Sequence, residues 1–427
     1  MATTSIESNL YKFHREGREF QVHRECKAEA ARIDANEDSV LDDQEIMDYL
    51  IKTDALEDPT YHVVDQEKVV KEFKSHLLKE VPANALNYHT YDEVAAELAR
   101  LAETHPDIAQ RVSLGTSHEG REIWALKISS GAASDDTRQK PGVVITGCHH
   151  AREWMSMEAP LYVAQRLVEG YASDPAMKDR VDKAEIWVVP LVNPDGYEYS
   201  RTQDNWWRKN RRPVSNTFCD NQHPQAGMGV DLNRNYADDV PTHEWVYRPP
   251  GDTPCSTRDD FGRTSDNPDD DTYRGPFGAS ERETQAMLDL ELGRGNIKGI
   301  LDHHGYGQMI LYPWGNTYDP VDNAAVYQDV GAKMNDALGD TRYRLMQSSS
   351  LYPTTGGSHD IHHINGIFSY TLEIGQSFQP DREQIDPIRQ RVARANMVFL
   401  DEVIRRDDLF PKPPEQPPAG QSAPAQG

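Results

Sequence analysis

Residues 142–154 read Gly-Val-Val-Ile-Thr-Gly-Cys-His-His-Ala-Arg-Glu-Trp: strand-like residues, then two histidines and a glutamate. An apolar run this short, bounded by glycine, predicts a strand buried on both faces, as a parallel sheet covered by helices demands. Three other runs share the character: Ile186 to Val192 (IWVVPLV), Ile297 to His303 (IKGILDH) and Ile367 to Glu373 (IFSYTLE). Helical periodicity lies between them, at Tyr91 to Glu103 (Val94, Leu98 and Leu101 on one face), Ser156 to Tyr171 and Ser280 to Glu291. The alternation predicts an α/β fold with a mixed, mainly parallel sheet flanked by helices. In such sheets ligands bind beyond the carboxyl ends of the strands. The histidines and Glu373 fall there.

The 427 residues suffice for one large α/β domain and a smaller one, and no apolar run approaches a membrane span. Lys and Arg total 45 against 70 Asp and Glu, a net charge of −25 that argues against nucleic acid or an anionic membrane as partner. Three regions separate by composition. Residues 1–86 are charged and helix-rich, 87–407 alternate strands and helices, and the Pro-rich 408–427 is expected to be a disordered tail. No signal peptide is legible at the N-terminus, so the compartment stays open, cytoplasmic or extracellular. The spacing of Cys26, Cys148, Cys219 and Cys255 fits neither a CxxC metal site nor a disulfide-dense scaffold.

His150 and Glu153, three apart, can grip one cation, and imidazole nitrogen with carboxylate oxygen suits Zn²⁺. A second pair, His303 and His304, ends another predicted strand and offers a third ligand, leaving a fourth position for water. Spacing alone does not choose His149 or His150, nor His303 or His304. Glu373 closes an apolar strand, where an ionised carboxylate needs a partner. It is a candidate general base acting on water.

Several ordered motifs resemble the zinc carboxypeptidases of the A and B type: HAREW at 150–154, NPDGYEYS at 193–200, NWWRKNRR at 205–212, GVDLNRNY at 229–236, HGYGQ at 304–308, LYPTTGGSHD at 351–360 and YTLE at 370–373. The resemblance covers about 87–407. It implies the carboxypeptidase fold with its eight-stranded type of sheet, one Zn²⁺, and removal of C-terminal residues from peptide or protein substrates by a monomeric enzyme. It selects His150, Glu153 and His304 as zinc ligands and Glu373 as general base. It also implies Arg208 at the oxyanion, Asn233, Arg234 and Tyr352 at the substrate's free carboxylate, and Arg152 and Tyr306 lining the cleft. His359 stands where A-type enzymes carry an apolar residue and B-type enzymes Asp, implying a pocket for acidic or polar/aromatic C-terminal residues. By the same resemblance Cys219 and Cys255 are expected to pair, and the family's setting is extracellular.

Residues 34–45, DANEDSVLDDQE, match an EF-hand calcium loop, with Ser39 in place of the usual glycine. Asp34, Asn36, Asp38, Val40, Asp42 and Glu45 are its expected Ca²⁺ ligands. A helix from about Glu7 to Ile33 is expected to enter the loop and one from Asp42 to Thr53 to leave it. Asp65 to Lys79 is a candidate degenerate partner. The segment precedes the catalytic region, where A-type enzymes carry an inhibitory propeptide, but does not resemble that propeptide. Two other readings stand beside the main one: a relative specialised for cell-wall peptides, amino-acid conjugates or polyglutamate tails, and a catalytically dead peptide-binding domain fused to a calcium module.

Overall fold

The computed structural model describes residues 87–213, 228–247, 264–268 and 270–410, with residues 12–15, 18–21, 30, 32–35, 40–52, 70, 71, 73, 74, 77 and 85 before them. Eight strands form one sheet: β4 (Ala109–Thr116), β5 (Glu122–Ile128), β6 (Gly142–Gly147), β7 (Glu185–Val189), β8 (Ile297–His304), β9 (Met309–Tyr312), β10 (Arg344–Gln347) and β11 (Phe368–Glu373). Their order is β10-β9-β11-β8-β6-β7-β5-β4. The central four, β11, β8, β6 and β7, are the four apolar runs of the sequence, and they are mutually parallel. Antiparallel pairing of β5 with β7, β4 with β5 and β9 with β11 makes the sheet mixed. Pro190 lacks a ladder N–H, and β7 stops just before it, at Val189.

Period-two alternation divides the core. Val143 and Ile145 face helices Trp154–Gly170, Ala324–Ala337 and Arg382–Arg405, whereas Val144 lies in a second cluster with Met287, Leu290 and Ile361. The predicted helix at Tyr91 runs to Thr104 and opens with a capping box in which Thr90 and Glu93 satisfy each other's backbone N–H. Between β6 and the helix starting at Trp154, a Cβ on Gly147 would lie 1.9 Å from the Ser156 carbonyl oxygen. Only glycine admits this approach of helix to strand end.

The N-terminal region departs from its expected helix. Lys12–Arg15 (β1) and Arg18–Gln21 (β2) pair antiparallel in the stretch read as helical from Glu7 to Ile33. Two residues, Glu16 and Gly17, join them, and glycine there weakens a helix while favouring a tight hairpin connection. A short β3 (Val40–Leu41) pairs parallel with β1. The outgoing helix forms at Asp43–Lys52, and Val70, Lys71, Phe73, Lys74 and Leu77 are helical within the proposed partner segment. Cys219, Cys255, Asn36, Asp38 and the tail 411–427 lie outside the described residues. Among the described helices none is long and apolar enough to cross a membrane.

Candidate metal centre and substrate cleft

Three adjacent parallel strands deliver the site. His304 and Glu373 are register partners at the ends of β8 and β11, and β6 ends at Gly147 opposite His303. The chain then turns through Cys148, whose φ of 58° lies in the left-handed region, and carries His150 and Glu153 back over the strand ends. His150 Nδ1 lies 2.7 Å from Glu153 Oε1, His304 Nδ1 3.1 Å from Glu153 Oε2, and the two Nδ1 atoms are 3.0 Å apart. All three side chains are buried. Two imidazole nitrogens and a carboxylate oxygen facing one point form a donor set made for a cation, and its composition is that of a catalytic Zn²⁺ site.

The three groups perturb one another. Burial would raise the Glu153 carboxyl, but His150 and His304 outweigh it and hold the group below the usual carboxylate range. Burial alone would lower His304, yet Asp302 and Glu153 hold it well above the ordinary imidazole value. His150 is lowered, by burial and then by Arg208.

Two carboxylates that sequence reasoning missed orient the histidines. Asp231 Oδ1 is 3.0 Å from His150 Nε2, and its Oδ2 accepts from Arg208 Nε at 3.0 Å. Asp302 Oδ2 is 3.1 Å from His304 Nε2, while its Oδ1 accepts from Thr146 Oγ1 at 2.8 Å. A partner on the far ring nitrogen fixes the tautomer and direction of a ligand histidine. The signal for Asp302 was present, because residues two apart on a strand share a face. Asp231 has no such sequence relation to His150, from which it is 81 positions away.

One cleft is lined by His150, Glu153, Arg208, Asn233, Arg234, Tyr306, Tyr352, His359 and Glu373, which unites most of the expected site residues. Asn233 Oδ1 accepts from the Ser358 N–H at 2.9 Å, tying the guanidinium-bearing segment to the pocket helix Ser358–Ile364. Arg152 stands beside the cleft. Its Nη1 reaches Trp206 O and Asp271 Oδ2, each at 3.2 Å, and its guanidinium lies 4.7 Å over the Phe378 ring. His359 is buried, and burial drives its imidazole down to about 3, so it is neutral at physiological pH. Its Nε2 has no hydrogen-bond partner among the described residues.

A further group, His118, Glu281 and Glu283, also clusters within ligand distance. Arg212 Nη1 at 2.6 Å and Asn210 Nδ2 at 2.7 Å already occupy Glu281, which marks a braced ion-pair network.

Residues 94–395 match the family model of the zinc carboxypeptidases. The chain belongs to that family. It is 29% identical over 332 residues to carboxypeptidase A4 of Mus musculus, covering 76% of this chain and 71% of the relative. A zinc carboxypeptidase of Saccharothrix mutabilis subsp. capreolus is 31% identical over 342 residues, covering 75% of this chain and 71% of that protein. Among solved structures, carboxypeptidase A from Helicoverpa armigera superposes with a TM-score of 0.65 at 26% identity, over 86% of this chain and 87% of that one. Bovine thrombin-activatable fibrinolysis inhibitor, solved with a tick carboxypeptidase inhibitor, gives 0.62 at 25% identity, over 74% and 97%. This carboxypeptidase is therefore a metal-dependent hydrolase of C-terminal peptide bonds, with zinc as the metal the family implies and the donor set fits.

Proposed function

We propose that His150, Glu153 and His304 hold the zinc ion and that Glu373 is the general base that takes a proton from attacking water and returns it to the leaving amine. Convergence of the three donors with Glu373 and the Arg208 and Arg234 guanidinium groups in one cleft carries this reading. When bound, zinc polarises the scissile carbonyl and acidifies water near neutral pH. Arg208, braced by Asp231, faces the oxyanion as it develops. Arg234 and Asn233 grip the free carboxylate, Arg234 through its fork of donors, and Tyr352 closes on the same end. Tyr306 lines the path of the preceding residue, and Arg152 supports the wall there through Phe378. Water is added across the last peptide bond, releasing one amino acid and a peptide shortened by one residue.

The pocket floor supports a polar or aromatic C-terminal residue over an acidic one. A neutral His359 supplies no positive charge, while Ser348, Thr354 and Thr371 add hydroxyls to the lining of the same cleft. The test is a digest of peptides differing only in the last residue, followed by mass spectrometry. Wild type should release single C-terminal residues, and Glu373→Gln or chelation should stop it. Release that survives Glu373→Gln would remove that residue from the base role.

The division at residues 86/87 and the calcium loop are part of the same proposal. Around residues 34–45, Glu45 Oε1 accepts from the Ala35 N–H at 3.0 Å, and Asp42 Oδ1 from the Glu45 N–H at 2.8 Å. Asp34 and Glu45 are largely buried, and the helix Asp43–Lys52 leaves the loop where an EF-hand requires it. Calorimetric titration with Ca²⁺ tests it; no heat above that of a Glu45→Ala control would reject the site.

A further inference from the structure

Of the large apolar side chains exposed among the described residues, Val240 at 40% and Phe277 at 57% share one groove. Pro241, Tyr247 and Pro276 complete its apolar lining, and Asp238, Asp239 and Glu244 bring three carboxylates to it. Its free room is about 530 Å³, and it shares no lining residue with the catalytic cleft. Pockets that hold a ligand of ordinary size offer roughly 300 Å³ or more. Of the lining residues only His243 can carry positive charge, and its Nδ1 is 2.8 Å from Asp238 Oδ2. Arg274, near the Tyr247 ring, is taken up by Asp266 at 2.6 and 2.8 Å. The groove is therefore apolar and anionic. Its helix, Glu244–Tyr247, is held from within: Val246 O accepts from the Gly356 N–H at 2.9 Å and Trp245 O from Asn316 Nδ2 at 3.3 Å.

The last described residue, Phe410, lies beside this groove. Asn323 Nδ2 donates to the Leu409 carbonyl, and the Phe410 ring rests 5.3 Å from His363 and 6.5 Å from Phe368. From Phe410 the rings of His363, Trp314 and Trp245 follow one another in steps of 4.6 to 5.3 Å, and Trp245 belongs to the groove helix. A second link runs through Asn365, whose Nδ2 donates to Asp238 Oδ2 at 2.7 Å. The sequence that continues from Phe410 is Pro-Lys-Pro-Pro-Glu-Gln-Pro-Pro at 411–418. A polyproline helix advances about 3.1 Å per residue, so roughly five residues span the three ring steps.

We propose that residues 411–418 dock in this groove of their own chain as a polyproline helix. Three residues per turn put Pro411, Pro414 and Pro417 on one edge. That edge meets Tyr247, Pro276 and Phe277, an aromatic and prolyl surface of the kind that receives such helices. Lys412 supplies the positive charge that the three carboxylates lack. Proline's fixed φ leaves little backbone entropy to lose on docking, and the tether at Phe410 keeps the segment at a millimolar local concentration. A stretch this poor in large apolar residues builds no core of its own and takes order from a surface already formed. The docking is independent of the cleft assignment proposed above.

The experiment is photo-crosslinking in the full chain. Phe277→benzoylphenylalanine puts a photoreactive ring in the groove, and Tyr318→benzoylphenylalanine puts the same ring at an apolar position exposed outside it. After irradiation and digestion, mass spectrometry locates the cross-links. The groove probe should capture residues 411–418 about fivefold or more over the Tyr318 probe, as a tethered ligand held in its site does. Replacing the edge by Pro411→Ser, Pro414→Ser and Pro417→Ser together should bring the yield down to the Tyr318 level. Lys412→Glu should lower it about threefold, by setting like charges against each other. Melting that matches the unsubstituted chain shows that each variant is folded, since the changes lie on the surface or in the tail. In a mixture of isotopically light and heavy chains the cross-links should stay within one copy. The proposal is overturned by any of four results: no capture of 411–418 from the groove, equal yields at the two probes, yields that ignore the proline replacements, or cross-links that mainly join light chains to heavy ones.

Discussion

Asp302 holds His304 from two residues away on the same strand, its Oδ2 3.1 Å from the ring Nε2. Strand alternation puts both side chains on one face of β8, so the proposed ligand and the carboxylate that orients it come as a unit. Asp302 is in turn fixed by Thr146 Oγ1 at 2.8 Å and Ser358 Oγ at 3.1 Å, from a neighbouring strand and from the pocket helix. Asp302→Asn should therefore weaken zinc affinity by about 10- to 100-fold, as losses of such orienting groups do. Competition against a chelator of known affinity measures it, and unchanged affinity would show that His304 needs no fixing.

Gly147 joins β6 to the segment that carries His150 and Glu153. With its Cβ position 1.9 Å from Ser156 O, Gly147→Ala must part β6 from the helix at Trp154. We expect a loss of about 3 kcal/mol or more in urea unfolding, in the range of severe overpacking. Zinc binding should weaken with it, because His150 and Glu153 lie on the displaced segment. Wild-type stability in this variant would mean that the backbone there yields easily.

Glu283 predicts a pH effect of known sign. Burial first, then the neighbouring Glu281, pushes its carboxyl up to about 7 in the fold, against about 4.3 in the unfolded chain. A raised carboxyl binds its proton more tightly when folded, so its contribution is intact below pH of about 4 and is lost as pH climbs toward 7. Glu283→Gln keeps the shape, removes the titration and lets its amide donate toward Glu281. The variant should match wild type near pH 4 and melt higher at pH 8. A melting curve shifted equally at both pH values would refute the account.

At the pocket floor His359 Nε2 makes no hydrogen bond among the described residues, with Asp360 Oδ1 3.3 Å away. His359→Leu should favour aliphatic C-terminal residues and cut the preference for hydrogen-bonding ones by about 10- to 100-fold in kcat/KM ratio, the range of single pocket contacts. Parallel rates on peptides ending in Gln, Tyr and Leu decide it. An unaltered ranking would assign specificity to the hydroxyl-bearing walls instead.

The central sheet was legible in the sequence because burial on both faces leaves a visible mark. GVVITG, IWVVPLV, IKGILDH and IFSYTLE are dominated by apolar residues, and they became β6, β7, β8 and β11. The outer strands left no such mark. β4 is largely exposed, with only Ala109 buried, and β9 and β10 have four residues each. Local sequence misled at the N-terminus, where a helical reading gave way to the hairpin of Lys12–Arg15 and Arg18–Gln21. Gly17 in that stretch of sequence lowers its helix propensity.

For the site, sequence alone determined the chemical inventory: two histidine pairs and a glutamate at strand ends, a calcium-type loop, and an imidazole after GGS. Its motifs also determined the family resemblance that chose among the histidines. Tertiary structure decided which groups act on one another. Asp231 reaches His150 across 81 positions, Arg208 shares that carboxylate, and Phe73 meets Trp206 in a separate apolar cluster. The first two relations come from distant loops that converge beyond the ends of the central strands. No periodicity records them, because each partner is placed by a different strand or helix.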